Sequence, residues 1–324
     1  RRRPDPRDRS GCCGDGRMSL HSGIPRAMGA DVRRGERLEY WTLGWMASVV
    51  LIMWLVMGAS QAMKAGAVED LLSLVPAIVF LLSVRWERRG PNARFPFGYR
   101  RANSLAFLVA ATALLSVGGF LAYESVSTLI RQEHPTVGGI TLFGNTIWLG
   151  WLMIAALAYS VVPPIILGRM KQPVAERIKD KVLHTDALMQ KADWQTGLAG
   201  ISGIVGIGLG WWWADATAAL FISLSIIKDA VGALEQAVAE LLDGTPRALD
   251  SNELSDDAKQ LIGVLNARFG KVDVRLRETG RYIAAEVDCL PPDDIPTAAE
   301  LMGDDLAWRL ASLSFRPEPG DAGP

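Results

Sequence analysis

The sequence predicts a membrane protein in two parts, an all-α transmembrane domain of six helices followed by a small cytoplasmic α+β domain. Three observations carry this. Hydrophobic residues make up 49% of the 324 residues and there are eleven Trp, a composition that points towards the bilayer. Six apolar stretches of spanning length follow one another with only short loops between them, where a soluble helical domain could bury one such helix but not six. After Asp243-Gly244-Thr245-Pro246 the hydropathy falls and the pattern changes to that of a mixed α/β unit.

Residues 1–36 form a basic N-terminal segment. The chain does not begin with Met, so Met18 or Met28 is a candidate start. The run from Arg1 to Arg17 is polar and Gly-rich, and the segment is expected to be disordered, touching anionic lipid heads at most. It holds no apolar core of signal-peptide length before Arg33, which argues against a cleaved secretory signal. The transmembrane domain is placed at 37–244. Its spans run from Tyr40 to about Met63, Ala65 to Val84, Ser104 to Ile130, Leu142 to Leu167, Val182 to about Leu209, and Trp213 to about Leu234.

Short cytoplasmic loops are enriched in Lys and Arg, and this orients the bundle. Arg33, Arg34 and Arg37 precede span one. Arg85, Arg88, Arg89, Arg94, Arg100 and Arg101 lie between spans two and three. Arg169, Lys171, Arg177, Lys179 and Lys181 lie between four and five. The opposite loops hold Lys64 and Arg131 and little else, while Trp211-Trp212-Trp213 marks the outer interface. Both termini are therefore expected in the cytoplasm.

Residues 245–324 form the cytoplasmic domain, expected to dimerise because so small a unit buries little core. Ser255 to Phe269 places Ala258, Leu261, Ile262, Leu265 and Phe269 at helical spacing. Lys271 to Arg277 and Tyr282 to Leu290 alternate as strands around a Thr279-Gly280 turn. Thr297 to Leu313 reads as a helix, with a short final strand at Ser314 to Arg316.

Composition excludes several functions. Residues 1–244 carry 25 Lys+Arg against 20 Asp+Glu, and residues 245–324 carry 9 against 15, with no basic stripe, so a nucleic-acid partner is not expected. Three Cys, two of them adjacent as Cys12-Cys13, build neither a disulfide framework nor a thiolate cage. No nucleophile with its base and no phosphate loop is present, which removes an enzyme. What remains is an acidic set inside two apolar spans: Glu69 and Asp70 in the second, Asp186 and Asp193 in the fifth. A carboxylate at membrane depth costs roughly 2.5 to 3.5 kcal/mol on insertion scales and marks a cation pathway.

The motifs around these residues resemble those of the cation diffusion facilitator (cation efflux) family. They are Phe95-Pro96-Phe97-Gly98-Tyr99-Arg100-Arg101 before span three, Thr185-Asp186-Ala187 in span five, Trp213-Ala214-Asp215 opening span six, the exit Leu241-Leu242-Asp243-Gly244-Thr245-Pro246, and Val272 to Arg277 followed by Gly280. The match covers about residues 40–320. The resemblance implies a metal/proton antiporter with six helices and a cytoplasmic ferredoxin-like domain, which works as a homodimer by rocking helices one, two, four and five against three and six. No tightly bound cofactor is implied; zinc, manganese, iron or cobalt is the transported ion.

The resemblance also implies a site of two positions four apart in helix two and two in helix five, usually Asp-x3-Asp and His-x3-Asp. In this sequence those positions fall on Glu69 and Ser73 and on Met189 and Asp193. Spacing of four keeps each pair on one helix face. A set with three carboxylates and an imidazole has thus become one with two carboxylates, a hydroxyl and a thioether. Asp70 could turn in beside Glu69, and Asp186 shares the face of Met189 and Asp193 by the i, i+3, i+7 pattern. A site of Glu69, Asp70, Asp186 and Asp193 would be rich in oxygen, suited to manganese and other harder ions. Lys191 lies about 200 degrees round the helix from Asp193. It either braces the bundle through a salt bridge, for instance to Asp70, or stands in the charge deficit that a metal would fill. The three His, His21, His134 and His184, all lie outside the cytoplasmic domain, so a zinc site there is not expected. The sequence is accordingly read as an exporter of a divalent cation in exchange for protons, in a bacterial inner (plasma) membrane. The alternative is a transport-inactive relative in which Lys191 neutralises the carboxylates and the chain serves as a membrane partner or regulatory subunit.

Overall fold

The computed structural model describes residues 28–56, 71–132, 139–142, 145–208, 210–211 and 213–316. The helical part is α1 Gly29–Val56, α2 Val75–Glu87, α3 Arg101–Arg131, α4 Leu149–Ile178, α5 Lys181–Gly208 and α6 Ala214–Leu241. Among the described residues, three segments are long and apolar enough to cross a membrane: Arg101–Arg131, Ile154–Ile178 and Ala216–Leu241. Two pairings dominate the bundle, α3 with α6 and α4 with α5. Missing side chains let the backbones approach at both. A Cβ on Gly118 would meet Ile226 and Ile227 at 3.0 Å, and one on Gly197 would meet Val161 at 2.3 Å.

Three boundaries differ from the expectations above. The first helix begins at Gly29, inside the 1–36 segment expected to be disordered, because Met28 and Val32 are buried with Val174, Ile178 and Leu183. The fourth helix begins at Leu149 rather than Leu142; ahead of it, β1 Gly139–Leu142 and β2 Asn145–Trp148 form an antiparallel hairpin. Ile140, Thr141, Thr146 and Ile147 suit that strand geometry better than a helix start. The second expected span is interrupted. Leu71 and Leu72 are helical, Ser73 and Leu74 form a turn, and helix resumes at Val75. Pro76 has no N–H for the carbonyl of Leu72, four residues back, so the ladder breaks there.

The C-terminal part runs α7 Asp256–Phe269, β3 Val274–Thr279, β4 Tyr282–Val287, α8 Ala298–Met302, a 3-10 turn at Ala307–Arg309 and β5 Leu310–Phe315. Its sheet has the order β3-β4-β5, antiparallel between the first two and parallel between the last two. Ser255 caps α7 and Thr297 caps α8 through backbone N–H groups three residues on. The helix expected over Thr297 to Leu313 stops at Met302, where Gly303 at φ +77 ends it. Leu310 and Leu313 instead serve the final strand, filling one core with Leu261, Leu265, Ile283 and Leu301.

The tip of the β3–β4 hairpin is inserted into the end of the helical bundle. Gly280 sits at φ +61, where a Cβ would lie 2.8 Å from the carbonyl oxygen of Arg100, so only glycine fits. Its N–H donates to Ser104 and Glu240. Beside it Arg281 is fully buried and bonds Glu87 at the end of α2 and Asp180 between α4 and α5, each at 2.5 Å. Burial works against the charged guanidinium, but Asp180 and Glu87 outweigh it and hold its pKa above the ordinary arginine value. Burial, and then the Glu87 carboxylate, push the Tyr282 phenol up from its usual range, and its O–H donates to Glu87. Lys181 at the start of α5 reaches Glu278 at 2.5 Å and Glu240 at 3.5 Å. Arg309 joins Glu278 and Asp257.

Removing one member of a buried ion cluster strands the others, at about 3 to 5 kcal/mol. Arg281→Met is therefore expected to lower the unfolding midpoint of the solubilised protein markedly. Arg275→Met, which removes a solvent-facing guanidinium from its pair with Asp288, is expected to leave the midpoint nearly unchanged. Denaturation followed by Trp fluorescence checks both.

Candidate metal site between the second and fifth helices

The break in the second helix and the central part of α5 meet. Ser73, fully buried at the turn before α2, donates its hydroxyl to Asp193 Oδ1 of α5 at 2.7 Å across 120 residues of sequence. Two of the residues at positions implied by the resemblance are thus in contact. Met189, one turn before Asp193 on α5, is fully buried in an apolar cluster with Leu114, Ala192 and Ile226. Glu69 and Asp70 lie outside the described residues. Among the described residues no three His, Cys, Asp or Glu side chains gather as a metal site.

Asp186 is engaged elsewhere. It and Glu39 of α1 both hold Lys171 of α4, with Lys171 Nζ at 2.8 Å from Glu39 Oε2 and in contact with Asp186 Oδ2. All three side chains are at 0% exposure. The other carboxylate oxygens, Glu39 Oε1 and Asp186 Oδ1, are buried without a hydrogen-bond partner. Asp186 therefore ties α1, α4 and α5 together about two helical turns from Asp193. Glu39 was missed from the sequence because it falls just before an apolar run, and Lys171 was counted as a loop residue because the apolar stretch ends at Leu167, whereas the helix runs on to Ile178. The 3.6-residue spacing of Val174 and Ile178 with Lys171 was the signal that placed it on a buried face.

Lys191 finds its partner on α6. Its ammonium lies 3.4 Å from Asp229 Oδ2, with the two side chains 45% and 33% exposed. It points away from Asp193, and it braces helices five and six rather than five and two.

The sequence profile of the cation efflux transmembrane domain matches residues 42–242, more than half of the chain. The chain belongs to the cation efflux family. Members of this family are membrane transporters, not enzymes. Zinc transporter ZitB of Escherichia coli (strain K12) is 27% identical over 202 residues, which are 61% of this chain and 59% of ZitB. The chain thus spans about three fifths of the length of that relative. ZitB of Yersinia pestis is 28% identical over 269 residues, 81% of this chain and 80% of that protein. The manganese efflux system protein MneS of Bacillus subtilis (strain 168) is 25% identical over 233 residues, 70% of this chain and 73% of MneS.

The two lysines of this cation efflux protein should differ sharply in how much they stabilise it. Lys171→Met leaves two buried carboxylates facing each other and is expected to cost about 3 to 5 kcal/mol. Lys191→Met breaks a half-exposed pair and is expected to cost about 0 to 1 kcal/mol. Unfolding midpoints of the two variants in one detergent rank them, and a larger loss at Lys191 would reverse the assignment.

Proposed function

We propose that this chain exports a divalent metal cation in exchange for protons, acting as a homodimer in a bacterial inner membrane with both termini in the cytoplasm. The single observation that supports the site most directly is the Ser73 to Asp193 contact between the second and fifth helices. Glu69 and Asp193 supply charge, Ser73 and Met189 complete the set, and Asp70 is a further oxygen donor. Asp186 is left out of the coordination set, because Lys171 already holds it.

Metal binding requires the carboxylates ionised, so protons compete with metal for Asp193 and Glu69; this competition couples the two fluxes. A hydroxyl and a thioether are weak zinc ligands, and an oxygen-rich set favours harder ions such as manganese. Relatives named for zinc and for manganese keep both in view, with iron and cobalt as further candidates. The reading in which Lys191 permanently neutralises the carboxylates is weakened by its pairing with Asp229 on the other side of α5.

The proposed organisation is a six-span domain over 37–244 and a ferredoxin-like dimerisation domain over 245–324. The contacts of the β3–β4 hairpin support the orientation. Glu87, Arg100, Ser104, Asp180, Lys181 and Glu240, from the ends of four helices and the turn before α5, all meet this hairpin. The basic loops thus share one side with the C-terminal part, as the charge rule requires of a cytoplasmic face.

Purified protein in vesicles, with dyes for metal and for pH, tests the reading. Asp193→Asn keeps an oxygen for the Ser73 hydroxyl and is expected to fold, yet to lose at least about tenfold in metal-driven proton flux. Met189→His restores the imidazole usual in this family and is expected to favour zinc over manganese by about tenfold or more. Wild-type flux from Asp193→Asn would refute the site.

A further inference from the structure

Lys191 and Asp229 lie outside the proposed coordination set, and both line two cavities in the bundle. A cavity of about 650 Å³ opens between α4, α5 and α6 on the side of the C-terminal part. Arg169, Gln172 and the loop at Asp250 to Asn252 line it towards that part, and Trp194, Lys228, Lys191 and Asp229 line it deeper in the bundle. The same Lys191 and Asp229 also line a second pocket of about 10 Å³, shared with Leu114, Leu188, Ala192, Ser225 and Ile226. That is room for about one water molecule. Leu114, Ala192 and Ile226 in turn pack with Met189 in one buried apolar cluster. From the open cavity inwards, the order is the ion pair, a space for one water, an apolar plug, and then Met189 of the proposed site.

We propose that the Lys191–Asp229 pair is a gate between this cavity and the transport site, and that Asp229 is the first carboxylate to take an arriving divalent cation. The proposal rests on the transport reading. The pair is suited to opening. At 3.4 Å it is longer than a well-formed charge-assisted hydrogen bond, and half-exposed ion pairs hold weakly. A divalent cation carries twice the charge of the ammonium and can displace it from the carboxylate.

The displacement has a mechanical result, because Lys191 is on α5 and Asp229 on α6. Helix α6 is closely apposed to α3 at Gly118, and α5 to α4 at Gly197. Breaking the pair therefore releases one helix couple from the other at this level. The apolar plug can then part and be wetted. The cation that is to be transported is the agent that opens its own way in.

Two measurements on the full chain test this, with manganese as the probe. In the first, initial transport rates in vesicles are compared for three forms. Lys191→Gln frees Asp229 for the cation, and KM is expected to fall several-fold. Asp229→Asn leaves an ammonium alone at the entrance, and KM is expected to rise roughly tenfold through like-charge repulsion. A merely structural pair would move both variants in the same direction, and that result, or shifts under about twofold in both, overturns the gate.

The second measurement does not depend on transport. Leu114→Cys, in a background with Cys12, Cys13 and Cys289 replaced by Ser, is labelled with N-ethylmaleimide. Labelling is expected to accelerate at least several-fold on adding manganese, and to be fast without it when Lys191→Gln is also present. Labelling that neither manganese nor the loss of Lys191 changes overturns the gate. Manganese-dependent labelling in a protein that moves no cation would instead overturn the transport reading and leave the pair as the gate of a binding cavity.

Discussion

The structure depends on a guanidinium that has no contact with water. Arg281 is drawn from the tip of a soluble hairpin into the end of a helical bundle, where its desolvation is offset by Glu87 and Asp180. These carboxylates belong to the end of α2 and to the turn between α4 and α5. Glu87 is at the end of α2 away from Ser73, and Asp180 immediately precedes α5, the helix that carries Asp193. One side chain therefore sets the spacing of the second and fifth helices at one end. Lys181, the first residue of α5, adds Glu240 and Glu278 to the same cluster and so fixes where α5 begins. Had these been surface pairs, each would contribute little and the C-terminal part could drift. Buried, they leave no intermediate position, because withdrawing the hairpin exposes several paired charges at once.

Much of this was legible in the sequence, and the legible parts share a cause. The α–β–β–α–β order of the C-terminal part follows from local periodicity and from Gly280, and the family motifs lie on short contiguous stretches. Ser73 and Asp193 fall on positions that the family resemblance implies, and the structure brings them together. Less legible were the features set by contacts far apart in sequence. Lys171 and Asp186 read singly as a loop base and a site acid, and Glu39 drew no reading at all. Only the fold shows that they neutralise one another. The last helix was drawn too long because Leu306, Leu310 and Leu313 fit a helical spacing as well as they fit a turn followed by a strand. The break at Ser73 follows from Pro76, whose missing N–H acts one turn upstream of the proline itself.

In the proposed site, a hydroxyl and a thioether where the resemblance implies a carboxylate and an imidazole would change the electrostatics as well as the chemistry. A second carboxylate beside Asp193 would repel it and favour a shared proton. A serine hydroxyl donates to it instead and adds no charge. The buried Met189 adds a polarisable but apolar wall. In the proposed site, Asp193 would receive a cation beside a serine hydroxyl at position 73 rather than a second negative charge. That proposal draws its remaining charge from Glu69 and Asp70, which come earlier in the sequence.

The Lys171 triad also has a consequence for how the chain is made. Glu39 precedes Lys171 by 132 residues, an interval of roughly 7 to 26 s at ordinary rates of synthesis. Throughout that time the first helix carries a carboxylate whose partner does not yet exist. It cannot settle at its final depth until the fourth helix arrives, and the fifth must follow before Asp186 completes the set. Insertion of these three helices is thus a joint event, timed by the lysine.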